Sequence, residues 1–412
     1  MSMVKKYVCL MMGLCCASLL YSQPGIQQGN WIGSLYRNDG KTIRFHFSVD
    51  EEKNKKVLFI NNAGEHIRID QLRTKGDSLF FEMPVFESYF SVKMISPQHW
   101  KGQWLKRGSA DPQIMPFEAR VESAISKPTV GLPKFDISGR WSIVFTKPDG
   151  KTRPAIGEWK ATDNRLVGTV ITPTGDYRYL TGIVSADSME LSTFDGSHAF
   201  LLKAKLSGDH QLKEGFFYSG ATSTEPWIAE KNPAAVLPDI AAMHVKNGDG
   251  KLNFTFRDLA NQKVSIHDPK FRNKVVVLQI MGSWCPNCMD ETAFLSDYYR
   301  KNRQRGIEII GLAYEYSTDP ERSRKSIQKF KDRFNVQYTL LNTGVTVSDS
   351  LRTEKTLPEL TTIKSFPTTI FLNKQGRVAK IHAGFEGPGT GVHYAEWKNE
   401  FEKTIEELLR EK

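Results

Sequence analysis

The segment GNWIGSLYRNDGKTIRF, which starts at Gly29, returns as GRWSIVFTKPDGKTRPA from Gly139. Trp31 and Trp141 stand 110 residues apart, as do Asp39 and Asp149, and Asp77 of GDSLFF and Asp187 of ADSMEL keep the same offset. A register held over that distance points to a tandem duplication, and a repeated supersecondary unit restricts the fold more than local propensity does. Short runs such as TIRFHFSV, SLFFEM, YFSVKMI and AFLLKAKL place apolar residues at every second position, the period of half-buried strands. Asp-Gly in both copies marks a hairpin turn. Two tandem mainly-β modules are therefore expected over residues 23–126 and 127–232, with the joint at residues 126–133. Trp31, Trp104, Trp141 and Trp159 are expected in their cores, because large aromatics dominate small β cores. No metal-ligand spacing repeats in the two copies, and the pair reads as partner-recognition or spacer modules.

Ahead of the repeat, MSMVKKYVCLMMGLCCASLLYSQPG places two lysines before an apolar run over residues 7–20. This is the pattern of a secretory signal, expected to span residues 1–22 with Gln23 as the new start. The run is short for a membrane span, and no later stretch competes with it. Lipidation at Cys15 or Cys16 is the alternative, disfavoured because the residue before each is Leu14 or Cys15, where a small residue is needed. The protein is thus expected to be exported and periplasmic, or membrane-anchored facing the periplasm if lipidated. The formal charge of +10 is spread among acids, as in EEKNKK and FEKTIEELLREK, without an aromatic-interleaved basic stripe, so nucleic acid is not an expected partner.

Beyond residue 233 the texture changes. NFTFRDLANQKVSI reads as a hairpin, VVVLQIM as a buried strand, residues 289–305 as a helix, GIEIIGLAY as a strand and PERSRKSIQKFKDRF as a helix. VQYTLL, then the hairpin TTIFLNKQGRVAKIH, and the helix YAEWKNEFEKTIEELL complete the chain. Alternation of strand and helix argues for a three-layer α/β sandwich with a mixed central sheet over residues 233–412.

Removal of the leader leaves one dithiol, Cys285 and Cys288, in GSWCPNCMDE. A pair three residues apart constrains little of an unfolded chain, so the spacing favours chemistry over a structural staple. Cys285 follows a buried strand and opens a helix, with Pro286 at an early position where its missing N–H costs little. The unpaired N–H groups of a helix start favour a thiolate, so Cys285 is the expected attacking sulfur. Cys288, one turn on, is placed to resolve a mixed disulfide. Pro367, in KSFPTTIFLN, cannot be an ordinary central-strand residue. A cis Phe366-Pro367 bond would leave backbone groups of Phe366 free to pair with an extended peptide.

GSWCPNCMDE, the preceding FRNKVVVLQIM and the later SFPTTIFLNKQGRV resemble the thioredoxin fold, and within it the TlpA/ResA-like exported thiol-disulfide oxidoreductases. The resemblance covers residues 238–412 and leaves the duplicated β region outside. It implies that Cys285 is the exposed nucleophile, Cys288 the resolving thiol and Pro367 the cis-proline beside the site. It further implies that the redox-active Cys285–Cys288 disulfide is the only cofactor, that exported proteins with disulfides or thiols are the clients, and that a membrane or periplasmic thiol donor lies upstream. Two positions depart from the pattern: Gln279 stands where thioredoxin has a buried acid, and Ala293 where the family commonly has proline. Glu291 matches a family glutamate and would exchange protons with Cys288 if burial raised its pKa; otherwise it decorates the first helical turn. Trp284 is expected to shield the thiols and, with Phe366, to meet the substrate. Two rivals remain: a Cu(I) carrier or other binding protein, which would recruit His393 or Met281, and a peroxiredoxin-like peroxide reductase, for which Gly282 stands where a threonine is usual.

Overall fold

The computed structural model describes residues 25–108, 112–124, 131–246 and 248–411. The expected signal, the lipidation alternative and much of the expected joint at 126–133 lie outside the described residues.

The first β region is a nine-stranded antiparallel sheet from Gly29–Tyr36 to Gln113–Val121, in which these first and last strands pair with each other. Alternation sets the inward face: Ile43, Phe45, Phe47 and Val49 of Thr42–Glu52 are buried, while Arg44 and His46 between them are exposed. The second region is also nine-stranded, with its first strand Gly139–Thr146 pairing with its last, Ser223–Lys231. Here Thr152–Thr162 pairs with both Gly139–Thr146 and Arg165–Thr172, closing the sheet on itself and leaving few free edges.

Equivalent contacts recur in the two sheets. Trp31 Nε1 donates to Gln27 O at 3.1 Å and Trp141 Nε1 to Ile137 O at 2.9 Å. Asp39 Oδ1 accepts from Lys41 N at 3.1 Å, and Asp149 Oδ1 from Lys151 N at 3.0 Å. Both turns need a left-handed residue after the aspartate, supplied by Gly40 (φ 77°) and Gly150 (φ 80°). Trp31, Trp104, Trp141 and Trp159 are all buried. The sheets also pack on one another: Phe194 of the second stacks on Phe45 of the first with ring centroids 4.5 Å apart, and Asn62 Nδ2 donates to Phe194 O at 2.8 Å.

The C-terminal region is a seven-stranded mixed sheet in the order Lys263–Ser265, Thr255–Asp258, Thr339–Asn342, Ile307–Ala313, Val275–Met281, Thr368–Leu372, Val378–Ala383. The central strand Val275–Met281 is wholly buried, because it runs parallel to Ile307–Ala313 and antiparallel to Thr368–Leu372 and is covered on both faces. Val275, Val277 and Met281 pack with residues of helices α1 (Pro286–Asn302), α2 (Pro320–Arg333) and α4 (Val392–Arg410). Val276, Leu278 and Ile280 pack instead with Leu252, Phe254, Leu357, Leu360 and Ile363. That second cover is mostly irregular chain with one short helix, α3 (Arg352–Thr356), so the expected third layer is not a layer of long helices. Among the described residues no helix is long and apolar enough to cross a membrane.

The burial argument is checked by denaturant unfolding of the full chain. Trp141→Ala should cost about 3–5 kcal/mol, whereas Ile228→Ala, at a position 57% exposed, should change stability by no more than about 0.5 kcal/mol. Equal effects would contradict the assignment of Trp141 to the core.

Candidate active site

Among the described residues the cysteines are Cys285 and Cys288, both free thiols and both buried. Cys285 is the N-cap of α1, with extended backbone, and Pro286 follows at the first helical position. Its Sγ accepts the Cys288 N–H at 3.2 Å and lies 3.5 Å from Phe366 O, to which it donates. The Phe366-Pro367 bond is cis. The Phe366 carbonyl, expected to be free for a substrate peptide, is therefore engaged by the thiol. One helical turn on, Cys288 is fully buried; desolvation first, and then its hydrogen bond with Cys285, push its thiol pKa well above the usual value.

Glu291 is not a surface charge: its exposure is 0%. Its Oε2 accepts from Gln279 Nε2 at 2.7 Å, and its Oε1 accepts from the Thr369 hydroxyl. Desolvation pushes its carboxyl up to about 7 against the lowering effect of these two donors. Gln279 also reaches Cys288 O at 3.4 Å and accepts from Thr292 Oγ1 at 3.0 Å, so the residue standing where thioredoxin has an acid positions the acid from the next helix. Trp284 is half-buried; its Nε1 donates to Tyr314 O at 2.8 Å, and its ring lies 5.1 Å from Tyr316 and 5.5 Å from Phe366. That pose requires Gly282, since a Cβ there would overlap the indole.

All six predicted residues, Trp284, Cys285, Cys288, Glu291, Phe366 and Pro367, thus converge at the start of α1. Met281 is buried in the same core, but His393 is held at the second β sheet, 3.0 Å from Glu158. Sequence reasoning missed the roles of Gln279 and Thr369, although a glutamine inside an apolar strand and a second threonine after Phe-Pro are visible signals. It also missed Glu315, a buried carboxyl that desolvation pushes up to about 7 and that accepts from Ser283 N and Oγ at 2.9 and 2.6 Å, fixing the loop before Trp284. Contacts from the second β sheet had no local signal at all: Asn287 Nδ2 donates to Asp176 O at 3.2 Å and Ser197 Oγ to Trp284 O at 3.1 Å.

A mixed sheet, a dithiol at a helix start and a cis-proline facing it define a thioredoxin-like oxidoreductase of thiols and disulfides. Residues 248–381 match the AhpC/TSA family, and over this C-terminal region the chain is similar to TlpA/ResA-like proteins. It is 27% identical over 138 residues to the thiol-disulfide oxidoreductase ResA of Halalkalibacterium halodurans, covering 33% of this chain and 68% of that one. With ResA of Bacillus subtilis it shares 22% identity over 140 residues, or 34% of this chain and 69% of the relative. A solved thiol-disulfide oxidoreductase from Bacteroides fragilis is similar at 19% identity and a TM-score of 0.26, covering 35% of this chain and 96% of that one.

Because the folded pKa of Glu291 lies above its unfolded value, the buried carboxyl lowers stability as pH rises from about 4.5 to about 7. Glu291→Gln removes that penalty, so the variant should gain on the wild type across this window by up to about 3 kcal/mol. Denaturant unfolding at pH 5, 6, 7 and 8 measures it; a constant difference between the two proteins would show that Glu291 titrates normally.

Proposed function

We propose that this protein is an exported thiol-disulfide oxidoreductase that reduces disulfides in other exported proteins. The observation that carries the reading is the placement of Cys285 Sγ between the Cys288 N–H and Phe366 O, beside a second thiol and a buried carboxyl. Cys285, as thiolate, attacks one sulfur of the client disulfide; a mixed disulfide forms and the other client sulfur leaves as a thiolate that takes up a proton. The Cys288 thiol then gives its proton to the Glu291 carboxylate and attacks Cys285. The second client sulfur leaves, two electrons have passed to the client, and the chain carries a Cys285–Cys288 disulfide that an upstream thiol donor reduces. Burial suits Cys288 to this order, since its thiol stays protonated until the mixed disulfide exists.

Export rests on the signal pattern of residues 1–22. The reductive direction rests on the resemblance to ResA-type proteins. The two β sheets, with first strands that begin 110 residues apart and matching tryptophan and Asp-Gly contacts, are best explained as a tandem duplication.

A peroxidase reading is disfavoured by Gly282, because the threonine usual at that position would meet the Trp284 indole. A copper carrier is disfavoured by the engagement of His393 with Glu158, away from the thiols. Cys288→Ser should accumulate covalent complexes with client proteins, separable on non-reducing gels, while Cys285→Ser should form none; equal trapping by both would reject the assigned order of attack. Peroxide consumption by the reduced wild type should stay at the level of the Cys285→Ser variant.

A further inference from the structure

The dithiol does not face open solvent. Cys285 is 4% exposed, Cys288 0%, and Asn287 between them 8%. Part of the cover comes from outside the thioredoxin-like domain. Asp176 O accepts from Asn287 Nδ2, its Oδ2 accepts from Gly387 N at 2.7 Å, and Ser197 Oγ bonds the Trp284 carbonyl. Backbone lies on backbone here: a Cβ at Gly384 would stand 3.2 Å from Thr174 C, and one at Gly389 2.8 Å from Arg178 C. The glycines of the loop GFEGPGTG therefore admit a segment of the second β sheet that side chains would keep away.

Arg178 clamps this contact. Its buried guanidinium donates to Asp290 of α1 at 2.8 and 2.9 Å, two residues beyond Cys288. It also pairs with Asp195 of its own sheet at 3.4 Å and with Glu65 of the first sheet. Further pairs fasten the flanks: Arg322 of α2 to Glu87 at 2.6 Å, Lys329 to Glu82 at 3.1 Å, and His393 of α4 to Glu158.

We propose that segments 173–178 and 195–198 of the second β sheet form a cap that sets substrate size: small disulfides and thiols reach Cys285 with the cap seated, and folded proteins reach it only when the cap lifts. The β region thereby determines specificity for the reaction proposed above, and the inference rests on Cys285 being the attacking sulfur. Mixed-disulfide formation requires the incoming sulfur to touch Cys285 Sγ, and a folded protein brings bulk that the seated segments already occupy. The seated contact is held by hydrogen bonds and by Arg178, paired with carboxylates of all three regions, so the segments lift together when those pairs break.

The test uses the full reduced chain and one warhead at two sizes: N-ethylmaleimide, and maleimide joined by a short tether to a folded carrier protein, with Cys285 modification read by peptide mass. For the wild type the carrier reagent should be slower by about a hundredfold beyond its ratio on a free peptide thiol. Gly389→Val, which wedges the loop against the Arg178 backbone, should restore about tenfold or more of the carrier rate and leave the small reagent within about twofold. Arg178→Ala should act in the same direction, with thermal unfolding confirming that each variant is folded. Carrier and small reagents keeping their free-thiol ratio on the wild type would overturn the cap, as would an unchanged ratio in a folded Gly389→Val. A Cys285 inert to both reagents in wild type and wedge variant alike would instead sink the nucleophile assignment.

Discussion

A guanidinium buried among three carboxylates fixes how the parts of this protein meet. Arg178 sits on the second β sheet with its side chain 4% exposed, facing Asp290 of the thioredoxin-like domain, Asp195 of its own sheet and Glu65 of the first. A charge taken out of water is tolerated only when partners and hydrogen bonds compensate it, and removal of one partner leaves the others uncompensated. The three regions therefore cannot slide past one another in small steps around this point; they are either assembled about Arg178 or separated. That all-or-none character puts the β region in a position to govern access to Cys285, five residues before Asp290.

The same principle operates on a smaller scale behind the thiols. Glu291 is excluded from water and receives hydrogen bonds from Gln279 and Thr369, which come from two neighbouring strands of the central sheet. Desolvation outweighs both donors and lifts the carboxyl into the range where it can hold or release a proton near neutrality. Cys288, buried beside it, has its thiol pKa raised by the same loss of water. Burial thus raises both groups, so that each favours its protonated form more than it would in water.

Much of the thioredoxin-like domain was legible in the sequence because its signals are local. A seven-residue run apolar but for Gln279, Cys-Pro-x-Cys starting four residues beyond it, and proline at the head of a strand each describe their own conformation. α1 starts at Pro286, three residues earlier than periodicity alone suggested and where the Cys-Pro signal had put the helix opening, because the Cys285 sulfur caps it locally. Period-two alternation was as readable in the β region, yet it could not say that the second sheet closes on itself, since closure depends on pairing between Thr152–Thr162 and Arg165–Thr172 in addition to the first strand.

By itself the sequence determined which atoms are available for chemistry and their order along the chain: one dithiol, a carboxylate three residues on, and a proline that must lie at the edge of regular pairing. Those follow from spacing on a helix and from the covalent limits of proline. Only the tertiary structure decided that Glu291 is dry, that Gln279 and Thr369 hold it, and that Asp176, Arg178 and Ser197, more than 85 residues earlier in the chain, bond Asn287, Asp290 and Trp284 beside the thiols. Burial and long-range pairing depend on how separate surfaces fit, and no periodicity within one segment encodes what another segment will bring to it.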